Sequence, residues 1–234
     1  MSFKYAECGL CKIKRNEKRC RSTEGKGPDF CPTIHQEELI KKVLLKYEDP
    51  EIREFARQAA IQEGECFLDC NGENFIRHAI KPRIQEIVEF AWRMNYKLLG
   101  LAFCSGLQME GNLMTQFLKK QGFEVVSVAC KVGAVPKETI GVLDNQKLAK
   151  GKFEPMCNPI AQAEILNDAG TDFNIMLGLC VGHDSLFIKN IKAPTTVFAV
   201  KDRVLGNNPL AALYACDSYY EWLMKTDLKS NLKG

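Results

Sequence analysis

Lys97-Leu98-Leu99-Gly100-Leu101-Ala102-Phe103-Cys104 is the stretch on which the reading of the chain turns. It is apolar without alternation and ends in a thiol, as expected of a strand buried on both faces of a parallel sheet. The same pattern returns at 124–130 (Glu-Val-Val-Ser-Val-Ala-Cys), 173–180 (Phe-Asn-Ile-Met-Leu-Gly-Leu-Cys) and 195–200 (Thr-Thr-Val-Phe-Ala-Val). Amphipathic helices are predicted between and after these runs. One covers 111–121, with Leu113, Met114, Phe117 and Leu118 inward; others cover 159–169 and 209 to about 224. Upstream, Pro82 opens a helix with Ile84, Ile87, Val88 and Ala91 on its buried face, ending near Asn95. Residues 37–64 read as two helices separated by Asp49-Pro50, an N-cap followed by a first-turn proline.

Strands alternating with helices define the expected fold class: α/β, an open doubly wound, mostly parallel sheet of about four strands. An N-terminal cysteine module and a helical segment precede the sheet. The expected divisions are a cysteine-rich metal-binding module at 1–35, a helical segment at 36–95 and a Rossmann-like α/β domain at 96–234. The connection from Val132 to Met156, with Pro136, Gly141, Gly151 and Pro155, has no sustained periodicity and the length of a lid or binding loop.

A chain of 234 residues, 46% hydrophobic and 26% charged, is large enough for a sizeable core and too polar for a membrane protein. No apolar run approaches the roughly 18 residues of a membrane helix. The start, Met1-Ser-Phe-Lys-Tyr-Ala-Glu-Cys8, carries no apolar signal segment, so a cytoplasmic location is expected. Eleven cysteines are then better explained by metal or redox chemistry than by disulfides.

Those cysteines fall into two main groups. Cys8-x2-Cys11-x8-Cys20-x10-Cys31 has the form of a four-thiolate metal site: a Cys-x2-Cys turn closes two sulfurs on one ion, and two later cysteines complete the shell. This head contains few large apolar residues, so metal binding would replace a core. Zinc fits the closed four-sulfur shell. An iron–sulfur cluster takes the same ligands, and the Cys31-Pro32 ending resembles ferredoxin runs, although the spacing matches neither standard ferredoxin pattern. Residues 1–31 also carry eight basic against four acidic residues, within a net charge of +3 for the whole chain. That head could touch nucleic acid through phosphates, but no aromatic residues interleave with its lysines and arginines, and a solvated small module is the simpler reading.

In the second group, Cys104, Cys130 and Cys180 each end a predicted strand, and Cys157 stands at the entrance to the 159–169 helix. Ligands of open α/β sheets bind outside the carboxyl ends of the strands, where strand order reverses. With the first strand central and the second and third on either side, the three thiols face one crevice, and the long loop delivers Cys157. The competing reading is that each is a small buried hydrophobe. In Gly178-Leu-Cys180-Val-Gly182-His183-Asp184-Ser185, Gly182 permits a sharp turn and Asp184 or Ser185 can cap a short helix. Cys180 and His183 are therefore candidate catalytic residues, with His183 a ligand, a proton donor or only a capping neighbour. Lys131, Lys201 and Arg203 follow strand ends and are candidates for an anion-binding role, for a small anionic ligand. Cys66 and Cys70 could face each other across a helical turn; Cys216, His35 and His78 have structural roles by default. No phosphate-binding glycine motif is present to indicate a nucleotide.

The cysteine cluster ending in Cys31-Pro32, Gly-Leu-Ala-Phe-Cys104, Val-Val-Ser-Val-Ala-Cys130-Lys-Val-Gly133, Met-Cys157-Asn-Pro159, Gly-Leu-Cys180-Val-Gly-His183-Asp184-Ser185 and Lys201-Asp-Arg-Val-Leu-Gly206 together resemble a prokaryotic family of uncharacterised, cysteine-rich metal-binding proteins. The resemblance spans essentially the whole chain and implies metal binding, without a reaction or assigned ligands. The expected function is a metal-binding protein with zinc or an iron–sulfur cluster at the head and a second cluster or metal at the strand ends, in a redox or metal-dependent role. A metal-independent thiol enzyme using Cys180 and His183, a metal or redox sensor, and a nucleic-acid-binding module are the alternatives.

Overall fold

A computed structural model describes residues 5–68 and 78–231. It comprises two compact units, Met1–Glu65 and Cys66–Gly234. Cys70 lies outside the described residues. Phe67 makes an antiparallel bridge to Ala79, so the chain at Cys66 has left the helix that the Cys66/Cys70 pairing assumed.

The first unit begins with single 3-10 turns at Cys8–Leu10, Arg15–Glu17 and Arg19–Arg21, tied by a bridge between Lys18 and Lys26. The helices α1 (Pro32–His35), α2 (Glu37–Leu44) and α3 (Pro50–Glu65) follow. Asp49 starts α3 as its sequence indicates: Oδ1 accepts the N–H groups of Glu51 at 2.9 Å and Ile52 at 3.2 Å. From Tyr5 to Arg57 no residue is buried. Turns this short, without apolar burial beneath them, have little to hold them in place.

In the second unit α4 (Arg83–Arg93) precedes β1 (Leu98–Phe103), α5 (Gln108–Lys120), β2 (Glu124–Ala129), α6 (Pro159–Asp168), β3 (Phe173–Leu179), α7 (His183–Asn190), β4 (Thr195–Val200), α8 (Leu210–Tyr214) and α9 (Trp222–Lys225). The four strands form one parallel sheet in the order β2-β1-β3-β4, the central placement of β1 expected from the sequence. Both faces are covered, as strands apolar on both sides require. On one face Ala102, Val128 and Met176 pack with Ala163 and Leu166 of α6 and Phe187 of α7. On the other, the Phe103 ring lies where a Cβ on Gly111 of α5 would stand, and Phe173 meets Phe90 of α4 at a centroid distance of 5.6 Å.

Two regions depart from expectation. The helix predicted from 209 to about 224 is only α8 and α9, separated by turns. Leu213, Tyr214 and Tyr219 are exposed, so no apolar face anchors a continuous helix, and Ser218 Oγ donates to the Ala215 carbonyl where the helix stops. The long connection after β2 is a tied loop with 3-10 turns at Lys137–Ile140 and Asp144–Gln146. Lys147, 6% exposed, holds it from inside through Glu138 at 2.7 Å, Asp144 at 2.8 Å and the Lys152 carbonyl at 2.7 Å. Lys137 pairs with Glu154 at 2.5 Å, and Pro136 bridges to Pro155 at its neck.

Candidate functional site

Sheet register brings the strand-end thiols together. Phe103 is opposite Ala129 on one side and Leu177 on the other, so Cys104 and Cys130 follow at the same level of the sheet. Cys104 N–H donates to the Leu177 carbonyl at 3.1 Å and Cys130 N–H to the Phe103 carbonyl at 2.9 Å. The tied loop then returns: Asn158 N–H donates to the Cys130 carbonyl at 2.7 Å, and Asn158 Oδ1 caps α6 through the Ala161 N–H at 3.1 Å. That contact sets Cys157 beside Cys130, and the two thiols are hydrogen-bonded to each other. Cys104, Cys130 and Cys157 all pack against the same core cluster.

Cys180 reaches the edge by a different device. Pairing of β3 with β4 is irregular between Met176 and Leu179, where Gly178 has φ +65° and a Cβ would run into Leu107 Cδ1. The bulge re-aims the end of β3, a usual function of such irregularities beside sites. Beyond it Gly182, at φ +84°, turns the chain into α7, whose first amides at His183 and Asp184 both donate to the Cys180 carbonyl at 3.0 Å. No side chain caps α7. Asp184 Oδ1 instead accepts the Ser185 N–H, because the helix starts two residues earlier than an Asp184 cap would allow.

The groups around these sulfurs are donors and cations. Ser105 N–H donates to Cys130 Sγ at 3.3 Å, and the next amide, Gly106, hydrogen-bonds the Cys104 thiol. Consecutive amides aimed at sulfur are a recurring feature of anion and iron–sulfur sites. Arg203 Nη2 donates to Cys180 Sγ at 3.1 Å. Lys131 Nζ donates to the Pro155 carbonyl at 2.5 Å, beside Cys130 and Cys157. Among the described residues, Lys131, Lys201 and Arg203 have no carboxylate partner.

Electrostatics separate the thiols. The hydrogen bond from Cys157, with help from Ser105 and Lys131, outweighs burial and holds Cys130 down to about 5. Its partner Cys157 is pushed up, first by donating to Cys130 and then by burial. Burial chiefly raises Cys104 as well. Near neutral pH the Cys130–Cys157 pair thus shares one proton, with the charge on Cys130.

Among the described residues no side-chain hydrogen bond links His183 to the Cys180 sulfur. Its Nδ1 is buried without a hydrogen-bond partner, and the donor on the Cys180 sulfur is Arg203. Gln162 is a site residue that sequence reasoning passed over. Fully buried in α6, it donates through Nε2 to the Val128 carbonyl at 2.7 Å and the Phe103 carbonyl at 3.2 Å, linking β2 to β1 just before their thiols. A polar residue on the buried Pro159, Gln162, Ala163, Leu166 face was the available signal.

In the first unit, Cys8, Cys11, Cys20 and Cys31 line one cavity of about 100 Å³. A Cβ on Gly27 would stand 2.8 Å from Cys31 Sγ, so the glycine leaves that sulfur its place. Among the described residues of either unit, no three His, Cys, Asp or Glu side chains converge at metal-binding distance. Single-ion coordination at Zn–S of about 2.3 Å requires thiolates within roughly 4 Å of one another, so the head would have to tighten around its ion. No helix among the described residues is long and apolar enough to cross a membrane.

Fold and site together define an α/β protein with a cysteine-lined carboxyl edge. The chain belongs to the family described as Protein of unknown function (DUF1847), which matches residues 31–198 and so takes in all four strand-edge cysteines. It is 43% identical over 185 residues to the uncharacterized protein MJ0455 of Methanocaldococcus jannaschii, covering 79% of this chain and 87% of that one. A crystal structure of Dph2 from Pyrococcus horikoshii aligns with 62% of this chain at 15% identity and a TM-score of 0.33. The chain spans about a third of that protein, 33%, and a likeness this slight carries no argument.

Proposed function

We propose that the protein is a metal-binding protein of redox or metal-dependent function whose principal centre is held at the carboxyl edge of the sheet by Cys104, Cys130, Cys157 and Cys180. The observation that carries this reading is the set of donors facing those sulfurs: consecutive amides of Ser105 and Gly106 on two of them, Arg203 on a third, and Lys131 beside the fourth. Such surroundings favour sulfur that bears negative charge, as ligand thiolates do. Four thiols spread over three strand ends and a loop suit an iron–sulfur cluster better than one ion, because a cluster is larger and holds its ligands further apart. A bound cluster would supply one-electron chemistry. The protein's part is to set the sulfur positions through Gln162 and the Gly178 bulge and to offset charge through Lys201 and Arg203.

The head is the second metal site in this reading, with Cys8, Cys11, Cys20 and Cys31 as ligands to zinc or a cluster. Support comes from four thiols lining one small cavity in a segment with no buried residue. Metal binding there would stand in for the missing core.

Anaerobic purification followed by metal analysis and a visible spectrum tests both sites. Brown protein whose iron falls in C180S and C130S, with the head's metal lost only in C11S, is the expected outcome. Protein without metal, or metal that ignores all three substitutions, would overturn the proposal.

A further inference from the structure

The three cations that follow strand ends have different fates. Lys131 is tied to the Pro155 carbonyl beside Cys130 and Cys157. Lys201 folds back over β3: its Nζ lies 3.7 Å from the position a Cβ would take on Gly178, and it acts electrostatically on Cys104 at the end of the neighbouring strand β1. The ammonium therefore stands at the opening between β1 and β3, where chain direction from β1 reverses and open α/β sheets take their ligands. It is only half-exposed, yet makes no side-chain hydrogen bond or ion pair among the described residues. Removing part of an ammonium's hydration without a partner is unfavourable. Arg203 holds Cys180, two residues beyond Gly178, with one guanidinium nitrogen, which leaves the remaining N–H donors of its planar fork free. The start of α7 supplies no competing site, since its first amides are taken by the Cys180 carbonyl and Asp184. The neighbouring Asp202 carboxylate is occupied as well, accepting the Val204 and Leu205 amides through Oδ1.

We infer that Lys201 and Arg203 form a binding site for the oxyanion of a small molecule, a carboxylate or phosphate, held against the Cys180 end of the thiol-lined crevice. Lys201 provides the point charge and Arg203 the bidentate fork. The inference deepens the carboxyl-edge reading by giving that crevice a substrate class, but uses side chains that ligate no metal, so the two can fail separately.

The test is thermal unfolding of the full chain with inorganic phosphate in one series and succinate in another, ionic strength being held constant with chloride. A saturable rise in Tm is expected in at least one series, with half-saturation below roughly 1 mM. In K201M and in R203Q the half-saturation concentration should rise at least tenfold, while K12Q/K14Q/R15Q, which neutralises the basic head, leaves it unchanged. The responding series identifies the oxyanion. Metal content of the same preparations is measured in parallel, so that the anion response of K201M and R203Q is compared with wild type at known metal loading, because Arg203 also donates to the Cys180 sulfur. No saturable shift with either anion, or a shift retained in both single variants, would overturn the inference whatever the metal content. If K201M is unstable, K201Q and R203Q carry the comparison.

Discussion

Gly178→Ala tests whether the β3 bulge is built around the absent side chain. Gly178 sits at φ +65°, where an L-residue pays roughly 1–2 kcal/mol. Its new Cβ would also overlap Leu107 Cδ1, and Leu107 is itself buried and cannot swing into solvent. Forcing an extra methyl into such a place costs typically 1–3 kcal/mol. The two effects together predict a loss of about 2–5 kcal/mol, measured as the drop in unfolding free energy in urea at unchanged m-value. Leu107→Ala in the same background separates them: the double variant removes the overlap but leaves the backbone strain, so its loss should be smaller than the sum of the single losses by about 1–3 kcal/mol. A Gly178→Ala protein within 0.5 kcal/mol of wild type, or strictly additive losses, would show that the bulge is not set by this packing.

Three further outcomes follow from the site. In metal-free protein, thiolate absorbance should show one step near pH 5 from Cys130, and Cys157→Ala should move that step upward by roughly a pH unit or more, since the first cause of the low value is lost. The stability contributed by the pair is greatest near the ordinary thiol range: it disappears as pH falls through about 5, and it declines again at higher pH because Cys157 keeps its proton in the folded state; a Cys157→Ala titration identical to wild type contradicts the pairing. Gln162→Met should cost only about 1 kcal/mol in denaturant unfolding. Two hydrogen bonds are lost, but the Val128 and Phe103 carbonyls keep their ladder donors and an already unpartnered Oε1 disappears, and a loss above about 3 kcal/mol would refute this balance. Lys147→Met should speed hydrogen exchange across 137–154 while β1 stays protected, because Glu138 and Asp144 are about half exposed and rehydrate; equal loosening of β1 would show the loop is not a separate unit.

The sheet was legible because its strands are apolar on both faces and each helix between them carries a clear inward stripe. Placing Cys104, Cys130 and Cys180 at one edge needed only that reading and the rule for right-handed crossovers. The contact between Cys130 and Cys157 was not legible to the same depth. It depends on Asn158 reaching the Cys130 carbonyl after a loop whose interior is a lysine with two carboxylates, and charged residues in a loop ordinarily read as solvent-facing. The terminal helix failed for the opposite reason: 209–224 has helical composition, but helix length is decided by an apolar partner surface that composition does not reveal. Lys131, Lys201 and Arg203 look equivalent in sequence, and only the fold assigns the first to a carbonyl and leaves the second unpaired.

The central claim is that the strand-edge sulfurs act as ligands together. Iron, zinc and labile sulfide measured on anaerobically purified wild type and on C104S, C130S, C157S and C180S test it most directly. The account expects iron with sulfide in the wild type and a large loss in each variant, with the head's metal retained throughout. Wild-type protein free of iron and sulfide, or four variants that keep the wild-type metal content, would contradict it.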